Sequence, residues 1–126
     1  MAICSFTGEY RFLSNFWPST VELHGLLFPT VEHAYQASKT LNHGDQLIIQ
    51  RASTPGKAKA IGRTILMRRD FDQHKLAIMG DLLAQKFRDQ HLLANLIATM
   101  PHELIEGNTW NDRYWGVCGG TGENHL

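Results

Sequence analysis

The chain has 126 residues, twelve basic and twelve acidic, for a net charge of zero with neutral histidines. That length suits one domain with a modest core, and the charge balance leaves no global basic field for gripping duplex nucleic acid. A local cationic pocket for a phosphate stays open.

No run approaches the roughly 20 apolar residues that a membrane helix needs. The start, "MAICSFTGEYRF", lacks the basic and apolar regions of a secretory signal. Cys4 and Cys118 stand far apart with no C-x-x-C, and the seven histidines show no H-x-x-x-H or H-E-x-x-H spacing, so neither a disulfide framework nor a metal site is expected. We read a reduced, cytosolic, cytoplasmic protein.

In chain order, the first thirty residues alternate short apolar pieces with turn formers. Val21 and Leu23, then Leu27 after His24-Gly25, predict a small hairpin. After Pro29 the pattern turns helical, with Thr30 as N-cap of a helix over 31–41. Asp45 is expected to cap a second helix through "QLIIQRAS". Thr54-Pro55, a cap followed by proline at the first helical position, opens "PGKAKAIGR". Asp70 with Gln73 makes a capping-box variant ahead of the longest helix, roughly 71–89, whose apolar stripe is Phe71, Ile78, Met79, Leu82, Leu83 and Phe87. Another helix, "LLANLIATM", stops at Pro101, and the tail from Gly107 reads as irregular. The fold class is mainly α, a helical bundle with a small N-terminal β element, in one domain over residues 1–126.

The chemistry concentrates in "FPTVEHAYQASK". Glu32, Gln36 and Lys39 are spaced i, i+4, i+7 and share one helix face. Glu32 sits in the first turn, where the helix dipole favours a negative charge, and an ionised carboxylate can steady a developing cation or orient a water. On these residues alone a plain dipole-complementing role for Glu32 fits as well, and His33 reads as a packed or capping histidine. In "FLSNF", Ser14 and Asn15 offer donors and acceptors between large apolar residues, and Phe16 with Trp17 can floor a pocket for a planar base or simply anchor a turn. Arg63, Arg68 and Arg69, with Lys57 and Lys59, gather positive charge suited to phosphate, or to a solvated helix face. "GGTG" at 119–122 is no P-loop, because no Gly-Lys-Ser/Thr follows. Asp112 stands in "WNDRYWG", framed by Trp110, Tyr114 and Trp115, which can stack a nucleobase or pack an interior cluster.

Taken in order, "FLSNFWP", "FPTVEHAYQASK", "ASTPGKAKAIGR", "RRDFD", "LLAQKF" and "NDRYWGVCGGTGEN" resemble the YbiA-like, or NADAR, family, from about Phe12 to Asn124. The resemblance implies a mainly α fold and N-glycosidase activity, a hydrolase cleaving a ribose–base bond. Its substrates would be phosphorylated intermediates of riboflavin biosynthesis, or ADP-ribose attached to guanine in nucleic acid. By motif position Glu32 matches the family's essential glutamate and Asp112 the acid of "N-D-x-Y-W-G"; Phe71 stands where relatives carry tryptophan. Glu32 is then expected to act on the cation and the water, and Asp112 on substrate orientation or proton transfer. Phe16, Tyr35, Phe71 and Trp115 would pack around the base, while Ser14, Asn15, Lys39, Arg63, Arg69 and Asn124 would hold the rest of the substrate. No metal or organic cofactor, membrane or protein partner is expected. The competing expectation is a non-catalytic module that binds ADP-ribose or a related nucleotide.

Overall fold

The computed structural model describes residues 2–3, 8–99, 103–104, 107–108 and 117–118. In chain order the elements are β1 (Ala2–Ile3), a 3₁₀ helix (Gly8–Leu13), β2 (Pro18–Leu23), β3 (Leu26–Thr30), α1 (Val31–Ser38), α2 (His43–Gln50), α3 (Pro55–Gly62), α4 (Phe71–Lys86), α5 (Gln90–Ala98), β4 (Glu103–Leu104), β5 (Gly107–Asn108) and β6 (Val117–Cys118). The mainly α class with a small β element near the N-terminus is what the structure has. The chain divides into two compact units, residues 15–89 and residues 1–14 with 90–126.

In the first of these, β2 and β3 pair antiparallel, with Val21 opposite Phe28 and Leu23 opposite Leu26. The turn between them puts His24 at φ 52° and Gly25 at φ 80°. Both positions are left-handed, as the favoured two-residue hairpin turn requires, and Gly25 carries no steric cost there. Val21 and Phe28 face inward and are almost wholly buried.

α1 starts as the sequence predicts. The Thr30 hydroxyl accepts the His33 N–H, and the Asn15 carbonyl accepts the Glu32 N–H at 3.1 Å, so two of the first-turn donors that no helix can satisfy internally have partners. The helix ends at Ser38 rather than 41, with Lys39 as its C-cap. Every residue of α1 is buried, and it packs on α2, α3, α4 and the hairpin. It is the central rod of this unit.

Two expected caps fall elsewhere. α2 is capped by Asn42, whose side chain accepts the Asp45 N–H at 3.0 Å. Asp45 lies three residues inside, where its charge complements the helix dipole instead. Asp70 precedes α4 but makes no side-chain cap, because both its oxygens take the Arg68 guanidinium at 2.6 and 2.7 Å. A bidentate charged pair is the stronger use of that carboxylate. Thr54 and Pro55 open α3 as expected, with Thr54 accepting the Lys57 N–H. α4 ends at Lys86, short of the expected 89, and buries Phe71, Met79 and Leu82 of its apolar stripe. Ile78, Leu83 and Phe87 are only half-buried, whereas Lys86, which the apolar pattern passes over, is fully enclosed. Burial pushes the Lys86 ammonium down to about 8.

In the other unit, β1 pairs parallel with β4, and β5 with β6. The tail, expected to be irregular from Gly107, thus carries short β pairings. α5 buries Leu92 and exposes Leu93 and Ile97. No helix among the described residues is long and apolar enough to cross a membrane.

Candidate active site

Glu32 is held in the first turn of α1 and is only 8% exposed. One carboxylate oxygen accepts the Gln36 side-chain N–H at 2.7 Å, the i, i+4 contact that the helix geometry sets up. Lys39, one further turn along, is half-buried. Its ammonium pKa is lowered, first by burial; Glu32 pulls it back up, while Lys59 and Arg63 push it further down. These four charged groups therefore form one electrostatic cluster, a carboxylate with three cations arranged around the α1–α3 seam.

An apolar wall adjoins it. The Lys39 Nζ lies 5.7 Å from the centroid of the Tyr35 ring, within cation–π range, and Tyr35 meets Phe71 at 5.5 Å with the rings tilted by 57°. The loop between α3 and α4 is tied to this wall where the Lys39 carbonyl accepts the Arg68 N–H at 2.7 Å. Asn15 enters from the hairpin side. Besides its carbonyl on the Glu32 N–H, its amide N–H reaches the Met79 sulfur at 3.6 Å.

His33 is occupied structurally. One ring nitrogen faces the Ala52 carbonyl at 2.9 Å, so that nitrogen must carry a proton, and the other faces the Thr30 hydroxyl at 2.8 Å. An imidazole only 2% exposed and spanned between these two partners braces α1 against the loop between α2 and α3. It has no free lone pair with which to act as a base.

The structure thus brings Glu32, Tyr35, Lys39, Arg63 and Phe71 into one neighbourhood, with Asn15 bonded to it through the backbone. Phe16 is 43% exposed, and Arg69 is exposed on the loop between α3 and α4, outside the set of charges that shift Lys39. Ser14 belongs to the other unit, where its N–H donates to the Arg11 carbonyl. Asp112, Trp115 and Asn124 lie outside the described residues. Sequence reasoning left Lys59 as background charge and gave no role to Gln36 or Gly62. Only the shared helix face of Glu32 and Gln36 hinted at the amide–carboxylate bond.

Among the described residues no group of three His, Cys, Asp or Glu side chains is placed to hold a metal ion. What the cluster offers is a fixed carboxylate, cations for an anionic substrate, and an aromatic wall for a planar group.

Comparison with known proteins agrees with the motif resemblance. The NADAR domain family model matches residues 5–126. N-glycosidase YbiA of Escherichia coli strain K12 is 39% identical over 129 residues, covering 97% of this chain and 78% of that protein. N-glycosidase Npun_R5314 of Nostoc punctiforme is 36% identical over 124 residues, covering 93% and 79%. The riboflavin biosynthesis protein VVA0006 of Vibrio vulnificus is 33% identical over 122 residues, covering 94% of this chain but a third of that longer protein. The NMR structure of E. coli YbiA superposes with a TM-score of 0.80 at 33% identity, covering 96% of this chain and 73% of that one. The chain belongs to the NADAR family, whose relatives here include N-glycosidases.

Proposed function

We propose that this protein hydrolyses the N-glycosidic bond between ribose and base in a phosphorylated nucleoside-like substrate. The observation that carries this reading is the Glu32 carboxylate: nearly buried, bonded to an amide, and coupled to a cationic cluster beside an aromatic wall.

Breaking the C1′–N bond leaves the electron pair on the base nitrogen and develops positive charge on the ribose ring. A carboxylate alongside lowers that barrier electrostatically and can accept a proton from the water that attacks C1′. The departing base takes a proton in return, and Asp112 is our candidate to deliver it or to orient the substrate. Tyr35 and Phe71 would pack on the base. Lys39 and Arg63, with Lys59, would face the phosphate, where charge-assisted hydrogen bonds are strongest.

Two substrates fit the chemistry, a ribosylaminopyrimidine phosphate of the riboflavin route and ADP-ribose joined to guanine. The name of the Vibrio vulnificus relative and the zero net charge favour the small molecule. The test is to incubate the protein with each, following free base and ribose phosphate over time. Release beyond one equivalent supports hydrolysis. Stoichiometric binding without release would replace the proposal with a nucleotide-binding module.

A further inference from the structure

The Gln36 side chain is enclosed, 3% exposed, and its two ends are unequal. Its amide N–H donates to Glu32 at 2.7 Å, whereas its buried carbonyl oxygen has no hydrogen-bond partner among the described residues. An ionised carboxylate only accepts hydrogen bonds, so the reversed amide would set oxygen against oxygen. The carboxylate dictates the orientation, and the orphaned acceptor is the cost.

Gly62, at the end of α3, is what the orphaned end rests against. A methyl group built there would overlap the Gln36 carbonyl oxygen and lie 2.8 Å from its Cδ. The oxygen and Cδ are at the far end of a flexible chain and must give way, while the Gln36 Cβ at 3.2 Å leaves a tight fit between the helices, so a side chain at 62 would expel the amide first. By contrast, Gly80 on α4 has nothing within 4 Å of such a methyl among the described residues.

We infer that Gln36 is a positioning residue for Glu32, fixing the carboxylate and favouring its ionised form, and that the bare backbone at Gly62 keeps the Gln36 amide in place. The consequence for turnover rests on Glu32 being the catalytic carboxylate; the effect on Glu32 itself does not. Among the described residues, the charges bearing on the pair include Lys39 on α1, coupled to Glu32, and Lys59 and Arg63 of the α3 end, coupled to Lys39. His33 on α1 is engaged by Thr30 and Ala52. The buried side chains of the hairpin and of α2 are Val21, Phe28, Thr30, Gln46 and Ile49, none ionisable. α4 contributes Phe71 and Met79, and its buried cation Lys86 lies over the Phe87 ring at the opposite end of the helix.

The test labels glutamate side chains with ¹³C and titrates the Glu32 carboxyl in wild type, Gln36→Met, Gly62→Ala and the control Gly80→Ala. Removing a donor from a carboxylate disfavours its charged form, so the midpoint should rise by about one unit in Gln36→Met and Gly62→Ala, and stay put in Gly80→Ala. With the ribosylaminopyrimidine phosphate, the acid limb of kcat/KM should move in step. kcat should fall roughly tenfold with little change in KM, and the double variant should be no worse than either single one. An unmoved midpoint in a folded Gln36→Met, or in Gly62→Ala should the former not fold, would overturn the inference. A moved midpoint together with full turnover by Glu32→Gln would keep Gln36 as the positioner and remove Glu32 from catalysis.

Discussion

Helices α1 and α4 bury their residues for different reasons. α4 has sixteen residues, of which Phe71, Met79, Leu82 and Lys86 are buried. Three of those four are apolar, and hydrophobic transfer explains them. α1 has eight residues, all buried, and four of them are Glu32, His33, Gln36 and Ser38. Burying such groups costs free energy unless each finds a partner. His33 has Thr30 and Ala52, Glu32 has Gln36, and Ser38 donates to the Tyr35 carbonyl at 2.5 Å. The surface helix is held by the few apolar side chains it buries, whereas the central polar helix is held by its bonds. Polar groups enclosed at such expense are where chemistry is expected.

The contrast can be broken first on the apolar side. Leu82→Ala on α4 should cost about 2–5 kcal/mol, because the residue is wholly enclosed and the site cannot fully collapse. Urea denaturation measures it, and turnover per folded molecule should be unchanged. His33→Ala on α1 should cost a comparable or slightly smaller amount, about 2–4 kcal/mol, since it empties a cavity and orphans the Ala52 carbonyl. Unlike Leu82→Ala, it should also depress turnover by loosening the turn that carries Glu32. Equal activity losses in the two variants would erase the distinction between the helices.

A smaller effect sharpens the cationic side. Arg63 lies within electrostatic reach of Lys39, whereas Arg69 is exposed on the loop and is not among the charges that shift Lys39. Arg63→Ala should weaken binding of a phosphorylated substrate by roughly tenfold and its dephosphorylated form much less. Arg69→Ala should do neither to the same degree. Affinities for both substrate forms, measured on both variants, decide it.

The smallest effect belongs to the loop. The Arg68 guanidinium holds the Asp70 carboxyl at about 2, below its ordinary value of 3.8. A folded-state value below the unfolded one means that the pair stabilises the fold above about pH 4 and that this is lost as pH falls toward 2. Melting curves of wild type and Asp70→Asn should differ slightly at pH 6 and converge by pH 2.

Much of the fold was legible because its signals are local. Thr30, Thr54-Pro55 and His24-Gly25 act through the nearest few residues, and each does what its type predicts. Asn42 and Asp70 escaped because competing partners nearby decide which side chain caps. For the site, the i, i+4 placement of Glu32 and Gln36 is written in the sequence. That Gly62 stands behind Gln36, or that Asn15 caps the Glu32 N–H, depends on how α3 and the segment before the hairpin pack on α1. No spacing rule reports that.

The central claim is that the Glu32 charge carries hydrolysis. Its most direct test is Glu32→Gln, which keeps shape and hydrogen bonding and deletes only the charge. Base release from the ribosylaminopyrimidine phosphate, affinity for it and the melting curve should be measured on one preparation. Affinity and melting temperature should stay close to wild type, while turnover falls at least about a hundredfold. Base release at the wild-type rate by the folded variant would contradict the account.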